Sequence, residues 1–163
     1  MVIGFEPRRR YSSFSYDIYN MKKIPAFEQF INESITNENI TTLSDNDIGM
    51  IINIDKETIN NTNYRKVLFT TDKLQLVLMN IQPGEEIGEE IHEDGDQFIR
   101  IEQGRCKVIL NDEEYIAETD SGIIIKANVK HNIINIGTDE LKIYSIYCPP
   151  EHKDGLIQVN KED

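Results

Sequence analysis

The chain has 163 residues, with 17 Lys plus Arg against 29 Asp plus Glu and a formal net charge of −12. That length suits one domain and an appendage, with a core that needs no disulfide or metal staple, and the acidity argues against a nucleic-acid backbone as partner. No window approaches the roughly 18 continuous apolar residues of a membrane span, the N-terminal segment lacks the apolar core of a secretory signal, and Cys106 and Cys148 form no CxxC pair, so a soluble cytoplasmic protein with buried, reduced thiols and no membrane partner is expected.

Residues 1–45 read as an arm. Arg8, Arg9, Arg10, Lys22 and Lys23 alternate with Phe5, Tyr11, Phe14, Tyr16 and Tyr19, a basic aromatic run on an acidic body. Such a run packs on its own domain or on a partner subunit more often than on nucleic acid. Pro25 opens a short amphipathic helix with Phe27, Phe30, Ile31 and Ile35 on one face, ending near Thr36. The polar stretch from Asn37 to Asp47 reads as a linker.

From Ile48 the period becomes strand-like. Runs at 48–54, 67–70, 74–81, 97–101, 106–110, 115–117, 123–125, 132–136 and 141–147 are short and β-rich, separated by turn signals such as Pro83-Gly84, Gln103-Gly104, Asn111-Asp112 and Gly137-Thr138-Asp139. Many short strands with no room for crossover helices predict an all-β antiparallel sandwich or barrel over residues 46–150, followed by a tail at 151–163.

One stretch carries chemistry. Glu90, His92 and Gln97 lie where adjacent strands turn them into a shared cavity, and His131 follows the apolar run Ile123 to Ile125. Carboxylate, imidazole and amide oxygen are all competent ligands, so the four side chains predict one divalent transition metal ion: Fe, Mn, Ni or Zn. The alternative is a polar barrel interior in which Glu90 and Gln97 bond each other. Glu85, Glu86, Glu89, Glu93, Asp94 and Asp96 read as solvated charge at the barrel mouth that favours cation entry. His152, after Pro149-Pro150, reads first as a surface residue, with an approach to the barrel mouth as the alternative, and Arg100 and Tyr144 qualify as substrate-orienting groups only if their faces turn inward.

Residues from about Tyr64 to Asp154 resemble the cupin superfamily, whose two motifs are written G-x5-H-x-H-x3,4-E-x6-G and G-x5-P-x-G-x2-H-x3-N. Gly84 and Gly104 bound the first, with Glu90 at the first His position, His92 at the second and Gln97 at the Glu position. In the second, Asp120 and Asn128 stand at the glycines and Lys126 at the proline, while His131 and Asn135 match. The resemblance implies a cupin double-stranded β-helix, a jelly-roll barrel, with a short helical N-terminal extension. RKVLF, LMNIQPGEEIGEEIHEDGDQFIRIEQG and IYCPPEHKDG look like small single-domain bacterial cupins of the mannose-6-phosphate isomerase-like type, a label of fold kinship rather than activity. In the usual site the carboxylate comes from the position of Gln97; here Glu90 supplies it, so the ligand set keeps one negative charge.

The function expected is a metal-binding barrel, paired as a homodimer, that takes a small-molecule ligand or substrate. It is either an enzyme on a small polar or sugar-like substrate, of isomerase or dioxygenase type, or a non-catalytic ligand-binding module, or a structural protein with the arm as its docking element.

Overall fold

The computed structural model describes residues 49–162 and the backbone of Thr41 and Thr42. The expected arm and its amphipathic helix lie outside the described residues. Thr41–Thr42 (β1) pairs antiparallel with Met50–Ile51 (β2), placing a two-residue strand inside the stretch read as linker. A helix, Ile54–Asn60 (α1), follows where the sequence suggested the end of a strand. Asn53 caps it, its side-chain oxygen accepting from the Lys56 N–H at 3.1 Å, and Asp55 and Glu57 place negative charge in the first turn. At seven residues α1 is too short for its period to stand out, and the alternating isoleucines before it mimic a strand.

Nine further strands follow: Arg65–Thr70 (β3), Gln75–Ile81 (β4), Asp96–Gln103 (β5), Arg105–Leu110 (β6), Glu113–Glu118 (β7), Gly122–Ile125 (β8), His131–Asn135 (β9), Leu141–Cys148 (β10) and Ile157–Gln158 (β11). They form a six-stranded sheet, β11-β3-β4-β10-β5-β8, and a three-stranded sheet, β7-β6-β9, and every pair is antiparallel. Val77, Met79 and Ile81 of β4, Ile99 and Ile101 of β5, and Leu141 and Ile143 of β10 meet Cys106 and Val108 of β6 and Ile133 of β9 in one buried cluster. This is the all-β jelly-roll architecture expected. The period-2 alternation works because each strand turns one face to that core and the other outward.

Strand β4 departs from the alternation. Leu78 and Asn80 are as buried as Val77 and Met79, because α1 packs over β4, β5 and β10 from outside. The end of α1 is tied down by a buried lysine. Lys142 on β10 donates from Nζ to the carbonyl of Asn61, the C-cap of α1, at 2.7 Å and lies 2.9 Å from Glu140 Oε2. Glu140 also accepts from Asn80 and Gln82, and these hydrogen bonds, with the ammonium, hold its pKa down to about 2.

The motif substitutions at the turns have a backbone explanation. Gly104 sits at φ +102° with a Cβ position 3.1 Å from the Glu140 carbonyl oxygen and the Leu141 Cα, so a side chain there would be both strained and crowded. Asp120 and Asn128 also adopt left-handed conformations, at φ 73° and 64°. They are among the few residues besides glycine that do so readily, so the turn geometry survives the change.

The tail does not leave the barrel. Gln75, fully buried, clamps His152 by two hydrogen bonds, Nε2 to the His152 carbonyl at 2.8 Å and Oε1 from its N–H at 2.9 Å, and β11 then adds to the edge of β3. Cys106 is buried as expected, but Cys148 is exposed, because its position at the end of β10 points out of the sheet.

Two outcomes follow for stability. Glu140→Ala should lower stability in urea unfolding more than Lys142→Met does, because it leaves the buried ammonium with only the Asn61 carbonyl as partner whereas the second change removes the charge altogether. Since the Glu140 pKa is lowered, its contribution is complete above pH 4.5 and fades as pH falls toward 2, so the gap between Glu140→Ala and wild type should close over that window. Gln75→Leu should cost about 1–3 kcal/mol by leaving two backbone groups of His152 unpaired, and should speed amide exchange at His152 while leaving the β5 amides protected.

Candidate metal centre

The site is assembled by a segment that is not a regular strand. Residues 84–90 run along β9: Gly84 N–H donates to the Asn135 carbonyl, Ile87 N–H to the Ile133 carbonyl, and Glu90 and His131 exchange N–H···O bonds of 2.9 Å each. Side chains fasten the same segment. Asn132 Nδ2 donates to Glu86 and Asn132 Oδ1 accepts from the Gly88 N–H, while the Tyr64 hydroxyl donates to the Ile87 carbonyl. Beyond Glu90, the left-handed Asn128 donates its N–H to the His92 carbonyl at 2.8 Å and its side chain to the Glu93 carbonyl. The second motif thereby positions the residues of the first.

Glu90, His92 and His131 come together as expected, each offering one ligand atom within 4.8 Å of the others. Glu90 Oε2 is 3.6 Å from His92 Nε2 and 3.9 Å from His131 Nε2. His131 Nδ1 lies 2.9 Å from the Val129 carbonyl, which accepts only from a protonated nitrogen, so the bare lone pair of His131 is on Nε2. Gln97 is buried on the inner face of β5. Its Nε2 donates to Ser145 Oγ at 3.4 Å rather than to Glu90, which leaves Oε1 as the amide's spare acceptor. Glu90 Oε2, both ring nitrogens of His92, His131 Nε2 and Gln97 Oε1 are all buried without a hydrogen-bond partner.

This is an expensive arrangement for a bare protein, since each buried polar atom left unpaired costs about 1–3 kcal/mol. It fits a cation. Ligand bonds of about 2.0–2.2 Å radiating from one ion place their donor atoms about 3–4 Å apart, close to the separations seen around Glu90. Two imidazoles, one carboxylate and an amide oxygen suit a divalent transition ion.

The electrostatics around the triad are uneven. Burial works against the Glu90 carboxylate, but His92, Arg65 and His131 outweigh it and hold its pKa below the usual value. Glu90 raises His92, with burial opposing and the Glu151 carboxylate, 3.4 Å from Nδ1 but off the hydrogen-bond line, adding to the rise. Burial lowers His131.

Four residues near the triad were not among the predicted site residues. Arg65, on β3, places Nη2 3.2 Å from Glu90 Oε1. Tyr147 meets His92 edge-on at 5.4 Å between ring centres, and its hydroxyl pKa is raised by burial. Glu151 flanks His92 as described. His152, read first as a surface residue with an inward approach as the alternative, packs its ring against Tyr147 at 5.0 Å, and its Nε2 is buried without a partner. Burial, with the charge of Arg65 nearby, lowers His152 to about 4. The Gln75 clamp that draws His152 inward links residues 77 positions apart, beyond the reach of local pattern. The inward alternation of β10, which places Tyr147 beside Gln97, was the one available signal. Arg100 and Tyr144 belong to the outward faces of β5 and β10, where Arg100 pairs with Asp120 and Tyr144 packs on Phe98, so neither reaches the site.

Comparison with known proteins agrees with this architecture. A family model for the cupin domain matches residues 77–147. The uncharacterized protein YrkC of Bacillus subtilis (strain 168) is 42% identical over 120 residues, 69% of this chain and 64% of YrkC, so the chain spans just under two thirds of that relative. The uncharacterized protein L612 of Acanthamoeba polyphaga mimivirus is 41% identical over 115 residues, covering 68% of this chain and 72% of L612. The crystal structure of BH2720 from Bacillus halodurans shares 39% identity and superposes with a TM-score of 0.69, over 74% of this chain and 96% of that one. With the spacing of both motifs kept on a β-barrel, a matching cupin-domain model and relatives of this similarity, the chain belongs to the cupin family.

Proposed function

We propose that this cupin is a metal-dependent enzyme acting on a small, polar, oxygen-bearing substrate, with one divalent transition ion held by Glu90 Oε2, His92 Nε2, His131 Nε2 and Gln97 Oε1. The observation that supports it is the convergence of buried polar atoms without partners at the triad. A bound divalent ion supplies Lewis-acid polarisation of a coordinated carbonyl or hydroxyl oxygen.

The surrounding residues divide the remaining work. His131 is held in the ligating tautomer by Val129. Arg65 fixes one Glu90 oxygen and so turns the other toward the imidazoles. Burial of His131 and Gln97 keeps water from the inner side of the site. Burial lowers the His152 pKa to about 4, so its imidazole stands neutral beside Tyr147 with Nε2 unpartnered. Tyr147 stays protonated beside it.

Wild-type protein should take up about one Mn(II) or Zn(II) per chain, measured by elemental analysis after desalting. His92→Ala and His131→Ala should each weaken binding by at least about 100-fold in calorimetric titration, Glu90→Gln should weaken it more than Gln97→Ala, and His152→Ala should leave it unchanged. Metal at about 100 times its Kd should raise wild-type unfolding free energy by about 2.7 kcal/mol. Equal metal content in wild type and the two His variants refutes the centre.

A further inference from the structure

We propose that Gln158 is a positioning residue for the metal centre, acting through Arg65 on Glu90, so that the seating of β11 and the binding of the ion reinforce each other. The inference rests on the metal centre proposed above and deepens it by naming what regulates it.

The link is a short relay between two strands and the triad. Gln158 lies opposite Arg65 in the pair of β11 with β3, and its Oε1 accepts from Arg65 Nη1 at 3.1 Å. Arg65 Nη2 donates to Glu90 Oε1 at 3.2 Å, and Glu90 Oε2 is the oxygen that faces His92 and His131. One guanidinium therefore bridges an amide of the tail and a carboxylate of the triad. It has little else to hold it. Its buried Nε has no partner among the described residues, and the Tyr64 ring lies 5.6 Å from its Cζ. A long side chain anchored at one end of its planar fork can still turn, whereas anchors at both ends fix the plane.

The chemistry of residue 158 suits that task. Arg65 has two opposing effects on an ion, since its charge repels the cation while its bond to Glu90 aims the carboxylate. An amide oxygen steadies the guanidinium without changing any charge, so Gln158 serves the second effect alone. The seating of β11 follows by linkage. Tyr64 and Val67, which flank Arg65 and Lys66, donate their N–H groups to the Val159 and Leu156 carbonyls at 3.1 and 2.8 Å, so β11 detaches only by breaking bonds on both sides of Arg65. Whatever factor the seated strand adds to metal affinity, the bound metal returns to the strand.

The experiment titrates Zn(II) into wild type, Gln158→Leu, Arg65→Met and the double variant, after urea unfolding has shown each to be folded without metal. Gln158→Leu keeps the bulk of the side chain but not its oxygen, and should raise the Zn(II) Kd about three- to tenfold, less than the roughly 10–100-fold of a residue bonded to a ligand itself. In the Arg65→Met background the same change should alter Kd by less than about twofold, because its route is gone. Arg65→Lys, which keeps the charge but not the fork, is the background if Arg65→Met does not fold. Gln158→Glu, which keeps an acceptor, should bind at least as tightly as wild type, and Ile157→Ala, at an exposed position of β11, should match wild type. Zn(II) should also slow amide exchange at Tyr64 and Val67 in wild type, and less so in Gln158→Leu. A Gln158→Leu Kd equal to that of wild type, an equal loss in both backgrounds, a similar loss in Gln158→Glu or Ile157→Ala, or Tyr64 and Val67 amides indifferent to Zn(II) each overturns the relay while leaving the metal centre standing. Wild type that takes up no metal instead removes the centre itself, and the relay with it.

Discussion

The reciprocal backbone pair between Glu90 and His131 is the constraint on which the site depends. Neither residue lies next to the other in sequence, and Glu90 belongs to no regular strand, yet two 2.9 Å hydrogen bonds lock their Cα atoms opposite each other. Side chains that face each other across such a pair stay within reach whatever the loops around them do. His92 follows two residues later on the same side and is held by Asn128, so the triad is a consequence of how residues 84–92 lie against β9 and the turn before it. The barrel core makes this possible. Ile87 and Ile133 bury themselves in the shared cluster and press the irregular segment onto the sheet.

That rigidity explains why unsatisfied polar atoms persist. A flexible site would relax by letting His92 or Gln97 find water or a neighbour, at little cost in packing. Here Gln97 is pinned to Ser145, His131 to Val129 and Glu90 to Arg65, and each bond uses one polar atom of its side chain while leaving another facing inward. The result is preorganisation: donors are fixed before an ion arrives, so binding need not pay to order them. Moving the carboxylate from the Gln97 position to Glu90 has a further effect. It brings the anion to the mouth side of the site, where Arg65 can reach it, whereas a carboxylate at Gln97 would sit among Ser145, Tyr147 and Ile125 with no cation in register.

The sequence was most legible where a rule is local. Strand alternation and turn residues located all eight strands from Arg65 to Cys148 apart from their exact ends. Motif spacing located the triad, because inward positions recur at fixed intervals along a strand. The misses are non-local. Helix α1 depends on the Asn53 cap and on packing over β4, and its last turn is secured by Lys142, more than 80 residues away. Strand β11 forms only because the tail folds back across β3. Arg65, Tyr147 and His152 carry no motif at all, and only the closed barrel brings β3, β10 and the tail to the same rim.

The same separation runs through the polar residues that are buried. Lys142, Asn80, Gln75 and Asn135 are as inaccessible as the site residues, but their main donors and acceptors are spent on backbone carbonyls, amides or Glu140, and they serve as rivets for α1, the tail and the turn after β9. Burial alone therefore does not mark function in this barrel. What distinguishes Glu90, His92, Gln97 and His131 is burial combined with a vacant lone pair, concentrated at one end of the core and bordered by an arginine and a histidine whose own donors are incompletely used. Outside this end of the core the buried side-chain atoms without a partner among the described residues are scattered singly, at Asn80 Oδ1 and Arg100 Nε, whereas here they converge at a real cost in stability that a bound cation would offset.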